Sequence, residues 1–223
     1  MKDETGPSRD AHHHEAWDPT WTIQRFTAPL RCNDCREIVT VSGEITQTEF
    51  AGDNDWDYED AFQPKFFYPA PPLMKPPTDC PEGVVGTLLD SHPLYWRAER
   101  TCATTIGIAI ELMLTERGIP LEITGRDNKS RMMPLHDRIV AFGKLDKESC
   151  DLLLTLKVVR NVGTHGSGHI DLVKEDLLDT YEILEYVLER VYGRRSERMA
   201  KLAGELLDRM TKPKPPSSDD PLF

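Results

Sequence analysis

Between residues 69 and 81 the chain carries Pro69, Pro71, Pro72, Pro76, Pro77 and Pro81. Each proline fixes its own φ and lacks an amide hydrogen, so neither a helix nor a central strand can run through such a stretch. It reads as an extended connector, and it divides the chain into two pieces that fold by different rules. Upstream, residues 21–50 read as strands. Phe26 to Leu30 leads into Cys32-Asn33-Asp34-Cys35. Ile38 to Val41 and Glu44 to Thr46 then flank Ser42-Gly43, a hairpin signal. Downstream, the apolar residues recur at helical spacing.

The helical half divides at its caps and stops. Ser91 is an N-cap candidate with Pro93 in the first turn. Cys102, Ile106, Ala109, Ile110, Met113 and Leu114 then share a face until Gly118 and Pro120. A short helix spans Pro134 to Phe142 and stops at Gly143. A third begins after Asp146, carries Leu152, Leu153, Leu156 and Val159, and is expected to end near Gly163. A fourth carries Leu177, Tyr181, Leu184, Leu188 and Val191 before Gly193. A fifth, amphipathic, runs from Ser196 to Met210. The expected organisation is a disordered polar N-terminus (1–20), a small β-rich module with its connector (21–82), a helical domain (83–211) and a loose Pro- and Ser-rich tail (212–223). The fold class is mainly α, with residues 88–210 almost wholly helical.

Composition narrows the function. A net charge of −11 argues against sequence-independent binding to duplex DNA, which needs clustered Lys and Arg. It leaves room for RNA chemistry at one local basic site. Five cysteines, an odd number, without a secretory signal point to reduced thiols rather than a disulfide framework. No run is apolar enough to span a bilayer, and Met1 to Glu15 has no apolar core, so the expectation is a cytoplasmic protein with no membrane partner.

One ordered set of segments resembles a known family. Ala109-Ile110-Glu111-Leu112 is followed by Leu135-His136-Asp137-Arg138-Ile139, then Lys144-Leu145, then Val159-Arg160-Asn161-Val162-Gly163-Thr164-His165. Together they resemble the DUF4145 family, a branch of the HEPN superfamily, over roughly residues 85–192. The resemblance implies a bundle of four or five helices, often a homodimer. Active members of the superfamily are metal-independent ribonucleases with an Arg-x4-6-His motif near the dimer axis. It therefore implies Arg160 and His165 as the catalytic pair and Asn161 as their polar neighbour. Glu111, Gly163 and Thr164 are supporting residues, and no cofactor is needed for catalysis. The implied partner is RNA, tRNA being one candidate, and the implied setting is a toxin or phage-defence effector with an antitoxin or defence-system partner. Two positions depart from the pattern. Gly107-Ile108 stands where the family often has an Arg, and Ser167 where toxin members have a Tyr.

The chemistry is coherent on its own terms. RNA supplies its own nucleophile, the 2′-hydroxyl. Neutral imidazole can take that proton, and imidazolium can protonate the leaving 5′-oxygen. A guanidinium matches phosphate oxygens and stabilises the charge developing on phosphorus. On a straight helix residues five apart lie about 140° apart around the axis. Gly163 is therefore expected to end or bend the helix and swing His165 toward Arg160. The plainer reading has Arg160 paired with a carboxylate such as Glu111, Asn161 and His165 holding a turn, and the domain acting as a non-catalytic dimerisation, nucleotide- or protein-binding module.

Cys32-x-x-Cys35 beside a hairpin resembles half of a zinc knuckle. Cys80 is the third ligand candidate for a structural zinc, and His92 or one of His12 to His14 the fourth. Otherwise these thiols only pack. Cys102 and Cys150 read as core. The acidic run from Asp53 to Asp60 reads as a solvated loop within turn-rich residues 51–64. The aromatic cluster Trp56, Tyr58, Phe62, Phe66, Phe67 and Tyr68 is expected to pack the N-terminal module onto the helices.

Overall fold

A computed structural model describes residues 1–51, 56–124, 129–165, 171–193 and 195–211. The side chains of Trp56, His165 and residues 195–198 fall outside that description, as do Gly166, Ser167, Gly168 and the tail 212–223. The N-terminal module is a four-stranded antiparallel sheet in the order β1 (Lys2–Glu4), β2 (Ile23–Arg31), β3 (Ile38–Ala51) and β4 (Trp56–Tyr68).

The first twenty residues are structured, contrary to the disorder their polarity suggests. β1 pairs with β2, Lys2 opposite Phe26 and Glu4 opposite Gln24. A short helix α1 (Gly6–Ala11) follows, capped by Thr5 Oγ1, which accepts from the Ser8 amide at 3.3 Å. Ser8 is buried. Its hydroxyl donates to Glu4 Oε1 at 2.6 Å and accepts the Ile23 amide at 3.0 Å. The segment is tied down by hydrogen bonds rather than by apolar bulk, so a hydropathy pattern does not reveal it.

The hairpin reading also shifts. Ser42-Gly43 is not a turn. β3 runs through it, and the register against β4 slips there in a bulge. The turn between β2 and β3 is instead the Cys32–Cys35 segment, closed by Cys32 N–H donating to Glu37 O at 2.9 Å and by Arg36 at a φ of 64°. Much of the acidic stretch 51–64 belongs to strand β4. Phe26, Val41 and Ile45 form the small core of this module. Of the aromatic cluster, Phe67 makes the bridge, its ring 4.3 Å from that of Trp96, while Phe62, Phe66 and Tyr68 are exposed.

The Pro-rich segment carries no helix or strand, yet Met74 and Cys80 are buried within the helical core. That core belongs to α2 (Glu82–Ser91), α3 (Glu99–Glu116), α4 (Leu135–Phe142), α5 (Lys147–His165) and α6 (Lys174–Tyr192). α3 is its pillar, packing against α2, α4, α5 and α6. Two expectations are corrected here. Ser91 ends α2 instead of capping α3, and a 3₁₀ turn over His92–Trp96 joins the two. A small ribbon, β5 (Glu122–Thr124) with β6 (Ser130–Met132), interrupts the otherwise helical half. Gly118, at a φ of 77°, ends the turn after α3 in the left-handed conformation that glycine accepts most readily. Among the described residues the last helix, α7 (Arg195–Thr211), has no substantial packing against these elements. No helix among the described residues is long and apolar enough to cross a membrane.

Candidate functional site

The motif residues sit at the crossing of α3 and α5, and two glycines make that crossing close. On α3, a β-carbon at Gly107 would overlap Arg160 Cγ, so the aliphatic stem of Arg160 lies across the bare backbone of Gly107. On α5, a β-carbon at Gly163 would stand 2.7 Å from the Arg100 carbonyl and 3.1 Å from Ala103 Cβ. Neighbouring helices ordinarily keep about 8–10 Å between axes, set by the side chains at the contact. Glycine on both partners is what removes that spacer here.

Arg160 passes over Gly107 and reaches Glu111 one turn further along α3. Its Nη2 donates to Glu111 Oε1 at 3.2 Å. The pair is neither buried nor freely solvated, with 26% of the Arg160 and 33% of the Glu111 side chain exposed. A second cation shares this carboxylate's field. Arg138 of α4 is almost wholly buried, its Nη2 donating to Thr115 Oγ1 at 2.7 Å and to Ile119 O at 3.3 Å. Desolvation lowers the Arg138 pKa from its ordinary value, and the charge of Glu111 opposes that shift. Glu111 thus hydrogen-bonds Arg160 of α5 and lies within electrostatic reach of Arg138 of α4.

Gly163 does not act as expected. α5 stays helical past it to His165, so no bend brings positions 160 and 165 together within one chain. The role of Gly163 is contact with α3. Asn161 is half-buried and Thr164 exposed, and the Thr164 hydroxyl donates back to the Arg160 carbonyl at 3.1 Å. The His165 side chain lies outside the described residues. The residue that sequence reasoning missed is Arg100. From the first turn of α3 its Nη1 reaches the Val162 carbonyl at 3.5 Å, near the C-terminal end of α5 where a cation is favoured. The Arg absent at position 107 therefore has a basic counterpart two turns earlier on the same helix. Helical spacing could have placed it there, but not identified the carbonyl it meets.

The zinc expectation is not carried by the geometry. Among the described residues no three His, Cys, Asp or Glu side chains come together as a metal-holding group. Cys80 is buried in the helical core, where desolvation pushes its thiol up to about 11. Cys32 and Cys35 share the β2–β3 turn without it. There the Cys32 thiol is lowered, first by the Cys35 amide and then by that of Asp34. Cys102 and Cys150 are core residues, as their spacing suggested.

A sealed polar cluster lies deeper in the bundle. Ser91 Oγ donates to Leu88 O at 2.6 Å and stands 2.6 Å from the Tyr181 hydroxyl, which is 3.2 Å from Cys102 Sγ. His92 packs edge-on to the Tyr181 ring, and its buried Nε2 has no hydrogen-bond partner among the described residues. Burial lowers its pKa. Ser91, Cys102 and Tyr181 are all buried, and the cluster joins α2, α3 and α6.

Comparison with known proteins agrees with this division at the connector. Residues 1–67 match a family model described as Domain of unknown function (DUF8608), a match that starts within the structured N-terminal segment. Neither a curated protein nor a solved structure matches the chain. Residues 93–212, running from the 3₁₀ turn before α3 to the end of α7, match the model described as Domain of unknown function (DUF4145). This match covers more than half of the chain, and the chain belongs to the DUF4145 family.

Proposed function

We propose that this chain is a HEPN-type, metal-independent RNA endonuclease in which Arg160 stabilises the scissile phosphate and His165 moves the protons. The observation that carries this reading is the fixation of Arg160 by Glu111 across Gly107, which leaves a preset, partly exposed cation in the Arg160-to-His165 segment. A cation already oriented costs little reorganisation when charge develops on phosphate. The 2′-oxygen loses its proton to neutral imidazole and attacks phosphorus. The 5′-oxygen leaves with a proton from imidazolium, giving a 2′,3′-cyclic phosphate and a 5′-hydroxyl. Because α5 is unbent, the arginine of one copy works with the histidine of a second in a homodimer. Deployment as a toxin or defence effector, with tRNA among its targets, belongs to the same proposal.

One observation favours a second reading, a non-catalytic interaction domain. Arg160 already has a carboxylate partner, and positions 160 and 165 lie about 140° apart on a continuous helix. The deciding experiment incubates wild type, His165→Ala and Arg160→Ala with structured RNA, tRNA included, in EDTA. The ribonuclease reading expects cutting by wild type and a loss of about 10²–10⁴-fold in His165→Ala. It also expects an inert substrate when the cleavage position is 2′-deoxy. Intact RNA across a broad panel favours the interaction domain, and undiminished cutting by His165→Ala removes the site assignment.

A further inference from the structure

The Cys32–Cys35 turn has no structural need of its two thiols. Other groups close it. Cys32 N–H donates to Glu37 O at 2.9 Å, Arg36 N–H to Cys32 O at 3.1 Å, and Arg31 Nη1 to Arg36 O at 3.2 Å. Neither sulfur belongs to the core of the sheet, which is Phe26, Val41 and Ile45 with Ala28 and Phe67 packed against it. Cys35 is exposed and Cys32 half-buried, whereas Cys80, Cys102 and Cys150 are all buried. Free cysteine ordinarily packs as a small apolar side chain. Two of them on one surface turn, outside any core, are placed for chemistry instead.

The turn sets the two sulfurs up unequally. The amides of Cys35 and Asp34 and the Cys35 thiol all hydrogen-bond the Cys32 sulfur. Donors that converge on one sulfur favour its thiolate, the form that acts as nucleophile. A disulfide bond of about 2.05 Å between the two sulfurs would close a gap that a hydrogen bond already spans. Among the described residues no third His, Cys, Asp or Glu completes a metal-holding group with them. What two adjacent thiols can do without a further ligand is become a disulfide.

We infer that Cys32 and Cys35 form a thiol–disulfide exchange site for low-molecular-weight disulfides of the glutathione kind, with Cys32 attacking and Cys35 resolving. The Cys32 thiolate attacks one sulfur of the small disulfide. A bond forms between Cys32 and that sulfur, the small S–S bond breaks, and the departing thiolate takes a proton from water. Cys35 then gives its proton to water and attacks the Cys32 sulfur of the mixed disulfide, and the second small thiolate leaves and is protonated. The protein dithiol loses two electrons and two protons, and the small disulfide gains both and becomes two thiols. The site lies in the sheet module and is independent of the RNA-cleavage reading of the Arg160 segment.

The test uses the full chain, fully reduced and then placed in glutathione disulfide under native conditions. Peptide mass mapping is expected to find Cys32 joined to Cys35 within one chain, with Cys80, Cys102 and Cys150 still free, and dithiothreitol is expected to reverse the link. Cys35→Ser removes the resolving thiol and is expected to accumulate one glutathione per chain on Cys32. Cys32→Ser removes the attacking thiol and is expected to take up glutathione about tenfold more slowly. Circular dichroism checks that both variants keep the wild-type fold. A wild-type pair that stays reduced would overturn the inference, as would two serine variants that react at equal rates or disulfides formed only between chains. A metal ion held by the pair after purification, protecting both thiols until a chelator removes it, would also overturn it, in favour of a metal-holding knuckle.

Discussion

Arg160 lays its stem over Gly107: a β-carbon at that position would overlap its Cγ and stand 3.2 Å from its Cβ and 3.3 Å from its Cδ. The glycine and the arginine therefore form one packing unit, and substitutions at the two positions depend on each other.

Gly107→Ala is expected to destabilise the domain by about 1–3 kcal/mol, the usual cost of overpacking, despite alanine's better helix propensity. In an Arg160→Ala background the overlap with Cγ is gone and only the 3.2 Å approach to Cβ remains, so the same change is expected to cost less than it does in wild type. Gly163→Ala behaves differently, because it meets the backbone carbonyl of Arg100 at 2.7 Å, and removing the Arg160 side chain gives it no relief. Urea unfolding of the single and double variants measures both couplings.

Acid weakens the fold in two separate windows. Arg190 and Ser149 hold the Asp146 carboxyl down at about 2 from an ordinary 3.8. That contribution is complete above about pH 4 and is lost as pH falls toward 2, where the folded state too takes up the proton. His92 is buried neutral, its pKa lowered from 6.5 by desolvation. Below pH 6.5 the unfolded chain binds a proton that the folded chain refuses, so stability declines from there until the folded-state pKa is reached. Melting temperature against pH should show both slopes. Asp146→Asn is expected to flatten the lower one, and His92→Gln the upper.

The Ser91 hydroxyl spends its one hydrogen on Leu88 O, so Tyr181 is the donor in the bond between Ser91 and Tyr181. Tyr181→Phe keeps the ring and removes that donor. A loss of about 0.5–1.5 kcal/mol is expected in chemical denaturation. No change at all would mean that the link from α2 to α6 is carried by packing alone.

Thiol labelling at pH 8 is expected to separate the cysteines. Cys32 should react well ahead of Cys80 and Cys102, both pushed up to about 11 by burial, and of Cys150, also raised. All five should label in denaturant. Equal rates in native protein would contradict the placement of Cys80 in the helical core.

The helical half was legible because its apolar residues are large, periodic and punctuated. Leu153, Leu156, Leu177, Leu184 and Leu188 are buried where their spacing puts them. What escaped the sequence depends on polar or absent side chains. Ser8 orders the N-terminus through two hydrogen bonds, and a hydroxyl has no periodicity. Ser42-Gly43 has turn composition but sits in a bulge, because the partner strand supplies a slip in register that no local pattern contains. Gly163 reads as a breaker when only its own helix is considered. Its meaning comes from α3, a helix distant in sequence. The Glu111–Arg160 pair was legible as a candidate from charge and spacing, whereas Gly107, which allows it, carries no side chain to draw attention.

Helices that meet through glycine have no side-chain cushion between them, so the seam between α3 and α5 cannot slide by changing rotamers. Displacing the Arg160 stem from Gly107 requires the two backbones to part, which exposes the core and belongs to the slow, near-global openings of the bundle. Amide hydrogens of both helices beside Gly107 and Gly163 should be among the last to exchange. Those of α7, which has no substantial packing among the described residues, should be among the first. Whatever meets this surface therefore encounters an arginine whose stem is fixed by the helix seam and whose guanidinium alone is left to adjust.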